Sequence, residues 1–145
     1  MVDITAKPDV FREALASGSI RLKSITVQRI KEGKIEKGDP LETAKIAGIL
    51  AAKNTSHTLP LCHPLPLTHV EVRTKIENHN TVSVQTVVRA KAKTGVEMEA
   101  LSATAAALLT IWDMTKQYEK DANGQYPTTR ITKILVEKKI KEKNL

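Results

Sequence analysis

A nearly uncharged helical segment constrains the fold of this chain more than any other feature. The segment GVEMEALSATAAALLTIWDMTKQYEK, residues 95–120, predicts one long helix, and no charged residue lies between Glu99 and Asp113. A helix that is apolar around most of its circumference needs cover on more than one side. A chain of 145 residues is too small to enclose such a helix, because small domains leave much of their surface exposed. We therefore expect the long helix to take part in a contact between subunits.

Two segments of alternating apolar and polar residues precede this helix. The first, HVEVRTKIE, covers residues 69–77, and the second, TVSVQTVVRA, covers residues 81–90. Such alternation is typical of strands that bury one face and leave the other in water. The intervening NHN predicts a turn, so the two segments should form an antiparallel hairpin.

The N-terminal part of the chain gives weaker signals. Residues 8–17 predict a short helix, because Pro8 suits a first turn and Gly18 follows the end of the segment. A strand at 19–23 and a short helix that ends at Gly33 are expected next.

The clearest helix-start signal lies in the sequence GDPLETAK. Asp39 can cap the helix, Pro40 suits its first position and Glu42 follows three residues after the cap. These signals predict a helix from 40 to about 55, and a last strand is predicted at 128–139. The irregular mixture of helices and antiparallel strands predicts an α+β fold with helices packed on one sheet face.

Composition and charge narrow the classes of function. A hydrophobic content of 41% and a charged content of 27% are typical of a globular chain, and we expect one domain over residues 1–145 with a basic C-terminal tail at 137–145. The net charge of +7 favours an anionic partner, either nucleic acid or a phosphorylated small molecule. A small basic RNA-binding α+β protein is therefore the alternative, although no RNA-recognition motif accompanies the charge. With no apolar leader core and no run of about 18 apolar residues, we expect a cytoplasmic protein without a membrane partner.

The segment LPLCHPLPLTH, residues 59–69, holds three of the six prolines and the only cysteine. A zinc site needs three or four converging ligands, and one cysteine with scattered histidines does not supply them, so no metal is expected. Cys62 and His63 are adjacent, and adjacent residues of an extended segment point in different directions. His63 is therefore a poor base for a Cys62 nucleophile. Two interpretations stay open, a tight proline-shaped turn and a rigid wall for a ligand.

Asp113 interrupts the long helix between LLTIW and MTK. A carboxylate buried at this position would need a partner, and Lys116 lies three residues further on, on the same helical face. The two residues form either a partly exposed structural salt bridge or an acid–base pair with shifted pKa values.

Met98 and Glu99 lie in the first turn of the same helix, where the helix dipole favours a carboxylate. Glu99 precedes Asp113 by 14 residues, which is about 21 Å along the helix axis. One small site in one chain cannot use both carboxylates, so either the ligand is long or another subunit contributes one of them. Lys37 and Lys53, near the two ends of the preceding helix, suit a polyanion but are equally compatible with a solvated surface.

Several separated segments together resemble the MoaC family, the cyclic pyranopterin monophosphate synthases of molybdenum-cofactor biosynthesis. They are MVDITAK, KGDPLETAKIAGILAAK, LPLCHPL, KTGVEMEALSA and LTIWDMTK, and the likeness runs in order from residue 1 to about 136. The resemblance implies a ferredoxin-like α+β subunit in a homohexamer, a trimer of dimers with sites at the dimer interface. It implies a lyase that converts (8S)-3′,8-cyclo-7,8-dihydroguanosine 5′-triphosphate, a GTP-derived nucleotide, into cyclic pyranopterin monophosphate and diphosphate.

The resemblance also implies roles for individual residues. Asp113, Lys116 and Lys37 match catalytic positions. Five residues match substrate-binding positions: Leu61, Cys62, His63, Met98 and Glu99. Lys53 is a weaker match to a position that contacts phosphate. The family needs no redox cofactor for this step, Mg²⁺ could accompany the triphosphate, and the implied partner is the small-molecule substrate rather than nucleic acid. On this interpretation LCHPL is a preorganised ligand wall whose thiol need not react.

One feature departs from the family pattern. Family members usually continue after the last strand with a glycine-rich, lysine-containing tail of the GGKSG kind, whereas LVEKKIKEKNL contains no glycine. We expect Lys138 or Lys139 to supply the charge that the usual tail would carry.

Overall fold

The computed structural model describes residues 1–143, which form an α+β fold around a four-stranded antiparallel sheet. The strands are β1 (Val10–Arg21), β2 (Leu67–Asn78), β3 (Thr81–Ala92) and β4 (Arg130–Glu142). The helices are α1 (Ser24–Lys31), α2 (Pro40–Lys53), the short α3 (Thr55–Thr58) and α4 (Glu97–Glu119).

The order of the strands gives the topology. The sheet runs β2-β3-β1-β4, and every pair of neighbours is antiparallel. The helices α1 to α3 connect β1 to β2, and α4 connects β3 to β4. Each connection therefore passes over one strand that lies between the two strands it joins. This double split βαβ arrangement is the ferredoxin-like topology, which confirms the fold that the resemblance implied.

The core lies between the sheet and the two longer helices, α2 and α4. Alternate residues of the two central strands are buried: Val10, Ala14, Ala16 and Ile20 in β1, and Val82, Val84, Val88 and Ala90 in β3. The buried residues that α4 adds are mostly small: Ala100, Ala103, Ala107, Leu108 and Ile111. Small side chains on both surfaces let α4 lie close to the sheet, which fixes the helix that carries Asp113 at one end and Glu99 at the other.

The helix predicted at residues 8–17 is wrong, because most of these residues belong to the central strand β1. Ala14 and Ala16 favour helices intrinsically, but in β1 they are fully buried beside β3 and α4. Gly18 does not end a helix either, since a Cβ atom at this position would lie 2.8 Å from Leu108 Cδ1. Glycine is therefore required here by the close approach of α4. Pairing on both edges of β1 overrides the local propensity.

The strand predicted at 19–23 is only the end of β1 (Val10–Arg21), whereas the remaining predicted elements are confirmed. The helix α2 begins at Pro40, and Asp39 Oδ1 accepts hydrogen bonds from the backbone nitrogens of Leu41 at 2.9 Å and Glu42 at 3.2 Å. The hairpin is β2 and β3, the long uncharged helix is α4, and α1 ends shortly before Gly33.

The last strand is longer than predicted. Residues 137–142, predicted as part of a basic tail, lie in β4 and pair with β1. Residues 144 and 145 of the predicted tail lie outside the described residues. Because β4 pairs with β1, the lysines at 138, 139 and 141 are carried by a hydrogen-bonded strand.

Candidate active site

Three predicted catalytic residues lie together at the C-terminal half of α4. Lys116 Nζ lies 3.1 Å from Asp113 Oδ1, and Lys37 Nζ lies 3.0 Å from Asp113 Oδ2. The three side chains are between 44% and 56% exposed. We call this set the Asp113 cluster. Its pair with Lys116 has the geometry that the sequence spacing predicted, whereas Lys37 comes from a distant part of the chain.

The two ammonium groups determine the protonation state of the carboxylate. Hydrogen bonds from Lys37 and then Lys116 lower the pKa of Asp113 below its ordinary value, because they stabilise the charged form. Asp113 is therefore ionised at neutral pH and can accept a proton, while each lysine offers donors.

The loop between α1 and α2 brings Lys37 to α4. Gly38 follows it with φ of 111°, a conformation that glycine adopts without steric cost. Asp39 then caps α2, so the chain turns from Lys37 directly into the helix. Lys37 Nζ also donates to the backbone oxygen of Asp113 at 3.2 Å, and the ammonium is thus held by two acceptors of one residue.

A second group of predicted residues lines one surface pocket of about 610 Å³. The predicted substrate-binding residues on its wall are Leu61, Cys62, His63, Met98 and Glu99. Val2, Ile4 and Lys7 of the N-terminal segment also line it. We call it the Cys62 pocket. Its volume lies in the range of small-molecule sites.

Cys62 and His63 have different partners in this pocket. Cys62 is half-buried and its thiol is free. Its backbone nitrogen donates a hydrogen bond to Leu59 O at 3.1 Å. His63 Nε2 lies 2.8 Å from the carbonyl oxygen of Val2, which requires the ring to donate from that nitrogen. The imidazole is therefore engaged with the N-terminal segment rather than with the thiol.

The pKa values of two carboxylates at the start of α4 are shifted in opposite directions. Glu99 is buried, and this burial raises its pKa. Burial also opposes the ionisation of Glu97, but a hydrogen bond from Lys139, with 2.6 Å between Nζ and Oε1, helps to lower the Glu97 pKa overall. Lys139 belongs to β4, so a lysine of the last strand lies beside the pocket.

The predicted site residues thus form two groups, and Lys53 lies outside both. Asp113 and Glu99 are 14 residues apart on α4, about 21 Å along its axis. Lys53, the last residue of α2, lines a different pocket of about 360 Å³ together with His69. Leu65 lines both this pocket and the Cys62 pocket, so the two pockets adjoin.

Sequence reasoning missed the contributions of Val2 and Tyr118. Val2 contacts His63 through its backbone carbonyl, which has no signature in the residue type. Tyr118 Oη accepts a hydrogen bond from the backbone nitrogen of Glu36 at 2.9 Å, one residue before Lys37. The one available signal was the position of Tyr118, close to Asp113 on the same helix.

Residues 1–143 contain neither a cluster of metal-binding side chains nor a membrane-spanning helix. In this part of the chain no three or more His, Cys, Asp or Glu side chains are grouped as a metal site would require. None of the helices in the same range combines the length and the apolar character needed to cross a bilayer.

Comparison with protein families covers almost the whole chain. The MoaC family model matches residues 1–142. The chain belongs to the MoaC family. This confirms the resemblance that its five sequence segments indicated.

Individual MoaC relatives align along nearly their full length. A relative from Sulfolobus acidocaldarius is 58% identical over 97% of this chain and 98% of its own length. A relative from Saccharolobus solfataricus is 58% identical over 99% of this chain and 96% of its own. A relative from Pyrococcus furiosus is 54% identical over 98% of this chain and 90% of its own length. Each is named a probable cyclic pyranopterin monophosphate synthase, so these MoaC proteins give no support to the RNA-binding alternative.

Proposed function

We propose that this chain is a cyclic pyranopterin monophosphate synthase of molybdenum-cofactor biosynthesis. The observation that carries the proposal is the match to the MoaC family over residues 1–142, with relatives of that name aligned along nearly their whole length. The substrate would be (8S)-3′,8-cyclo-7,8-dihydroguanosine 5′-triphosphate, and the products cyclic pyranopterin monophosphate and diphosphate. Because diphosphate leaves the triphosphate as the cyclic phosphate forms, the enzyme would be a phosphorus–oxygen lyase.

We assign the catalytic roles to the Asp113 cluster. The rearrangement requires protons to move on and off ring nitrogens and sugar oxygens. Ionised Asp113 is a base for these transfers, and Lys116 or Lys37 can return the proton. The positive charge of the lysines also stabilises the negative charge that develops on the departing diphosphate. The support for this role is that three groups with complementary proton chemistry lie within hydrogen-bonding distance.

Substrate binding is assigned to the Cys62 pocket. Prolines at 60, 64 and 66 restrict the backbone of its wall, and a wall that is already ordered loses little entropy when a ligand binds. In this role the thiol of Cys62 contacts the ligand without reacting. Lys53, in the adjoining pocket, is proposed as a phosphate contact.

We also propose that the protein assembles as a homohexamer, a trimer of dimers. The helices α2 and α4 expose large apolar side chains on a single chain, with Ile46 at 63%, Leu50 at 53% and Leu109 at 59%, and such surfaces mark contact sites. A dimer contact that brings one subunit's Cys62 pocket to its partner's Asp113 cluster would unite the two groups of site residues. Sedimentation should therefore detect the hexamer, and a monomer at micromolar concentration would contradict it.

Turnover of the cyclised nucleotide tests the proposed function. The purified protein should release a pterin product and diphosphate in equal amounts. Lys75→Ala, which removes an exposed lysine from β2, is a matched control and should turn over like the wild type. Absence of both products together with absence of substrate binding would contradict the proposal. Steeply salt-dependent binding to random RNA without turnover would favour the RNA-binding alternative instead.

Two expectations from the sequence stay predictions alongside this function, a cytoplasmic location and a single domain over residues 1–145. The sequence leaves open whether Mg²⁺ accompanies the triphosphate. Assays with and without a chelator would measure the contribution of Mg²⁺ directly.

A further inference from the structure

The residue before Lys37 is tethered to α4 by Tyr118. The backbone N–H of Glu36 donates to Tyr118 Oη, with 2.9 Å between nitrogen and oxygen. This bond therefore fixes the main chain at Glu36, the residue before Lys37, whose side chain reaches Asp113 Oδ2. The tether and the carboxylate belong to the same helix, so they keep a fixed relation to each other.

The Tyr118 ring is itself held in place. It is half-buried, and Arg29 Cζ lies 4.7 Å from the ring centroid in a cation–π contact. Arg29 belongs to α1, which precedes the loop, and Tyr118 belongs to α4. The ring thus joins the start of the loop to the helix that carries the acid–base residues.

Apart from Tyr118, the loop main chain near Lys37 is restrained at Ile35, whose carbonyl oxygen accepts a hydrogen bond from Gly38 N at 3.1 Å. Residues 32–39 are exposed except for Ile35, which is 7% exposed. Gln117 Nε2 donates to Glu36 Oε2 at 3.2 Å, but this bond joins two exposed side chains and restrains the main chain only indirectly. The flexible four-carbon stem of a lysine does not fix its ammonium group. The position of the loop backbone therefore decides whether Lys37 meets Asp113.

We propose that Tyr118 is a positioning residue for Lys37, whose hydroxyl holds the loop so that the ammonium stays against the Asp113 carboxylate. The inference rests on the catalytic role proposed above for Lys37. Removal of the hydroxyl should loosen the pair between Lys37 and Asp113. The pair between Lys116 and Asp113 should persist, because both of its residues lie within α4.

The first test measures the pKa of Asp113 by NMR titration of its side-chain carboxyl carbon. The charged groups that face this carboxylate are Lys37 from the loop and Lys116 from α4, and the Lys37 hydrogen bond is the largest cause of the lowered pKa. Tyr118→Phe should therefore raise the Asp113 pKa toward its ordinary value, and Lys37→Ala should raise it at least as far. Tyr126→Phe, which removes the same oxygen from the chain's other tyrosine, should leave it unchanged.

The second test measures steady-state kinetics. Tyr118→Phe should lower kcat about three- to tenfold, the range expected for one lost hydrogen bond, with a smaller effect on KM. In a Lys37→Ala background the same substitution should have no further effect on kcat, because the residue it positions is absent. A merely structural tyrosine would not show this dependence on Lys37.

Two outcomes would overturn the inference. One is a folded Tyr118→Phe protein with the wild-type Asp113 pKa and kcat, and the other is an equal loss of kcat with and without Lys37. The NMR comparison needs no turnover, so it decides the positioning role even if the wild type fails as a synthase. If the wild type turns over and Tyr118→Phe has the same kcat, the positioning role is contradicted but the proposed function is not.

Discussion

Replacement of Glu119 by alanine should destabilise the fold strongly, because this carboxylate joins three segments of the chain. Its side chain is fully buried at the end of α4. Oε1 accepts hydrogen bonds from the backbone nitrogen of Lys23 at 3.0 Å and from the Thr129 hydroxyl at 2.7 Å, and Oε2 accepts one from the Thr26 hydroxyl. The start of α1, the end of α4 and the chain before β4 are therefore held by one side chain.

The size of the effect follows from these bonds. A hydrogen bond to a charged group contributes about 1.5–3 kcal/mol, and a buried donor without an acceptor costs about 1–3 kcal/mol. In Glu119→Ala the Lys23 N–H and the hydroxyls of Thr26 and Thr129 all lose this acceptor. One lost hydrogen bond to a charged group and one unsatisfied donor together lower the free energy of unfolding by about 2.5–6 kcal/mol. Glu119→Gln keeps the shape and one acceptor oxygen, so it should cost only about 1–2 kcal/mol.

Urea denaturation at a fixed protein concentration measures these differences. Glu42→Ala is the matched control, because Glu42 lies in an exposed ion pair, 2.6 Å from Lys45, and such pairs contribute less than about 1 kcal/mol. The expected order of destabilisation is Glu119→Ala, then Glu119→Gln, then Glu42→Ala. A Glu119→Ala protein within about 1 kcal/mol of the wild type would show that Glu119 does not hold the three segments together, since a loss that small is ordinary for any substitution.

Two further predictions concern the Cys62 pocket. Cys62→Ser should keep a substantial fraction of the wild-type activity, and the pure protein should contain no stoichiometric zinc; complete loss of turnover with substrate still bound would show that the thiol reacts. Glu99→Gln should unfold at a higher urea concentration than the wild type at about pH 7 but not at about pH 3. The sign follows from burial, which raises the Glu99 pKa above its ordinary 4.5. Stability is therefore fully present below that ordinary pKa and is lost as pH rises through the higher pKa of the folded protein. Equal stabilisation at both pH values would contradict this origin.

The parts of the fold that the sequence predicted are those with a local signal. Alternation predicted β2 and β3, and the cap at Asp39 with Pro40 predicted the start of α2. The error at residues 8–17 arose because Pro8 and Gly18 occupy positions that are typical of a helix start and a helix end. Ala14 and Ala16 are extended because β3 and β4 pair with them on both sides, a contact between distant residues that no local pattern contains.

The candidate site shows the same division. Three-residue spacing on one helix was sufficient to predict that Lys116 pairs with Asp113. Lys37 reaches the same carboxylate from 76 residues away, and only the family resemblance had connected the two. The contact of His63 with Val2 O and that of Tyr118 with Glu36 N both use a backbone atom, which any residue type would offer.

The turnover rate of Asp113→Asn tests the proposed role of Asp113 as the base of the synthase. Asparagine keeps the size and much of the hydrogen bonding of aspartate, so the fold should survive. Loss of a positioned proton-transfer group predicts a rate of product formation lower by about 10²–10⁴-fold. Adding Lys116→Ala should lower it little further, because residues that act as a unit are not additive. A folded Asp113→Asn protein that turns over within about threefold of the wild type would contradict the account.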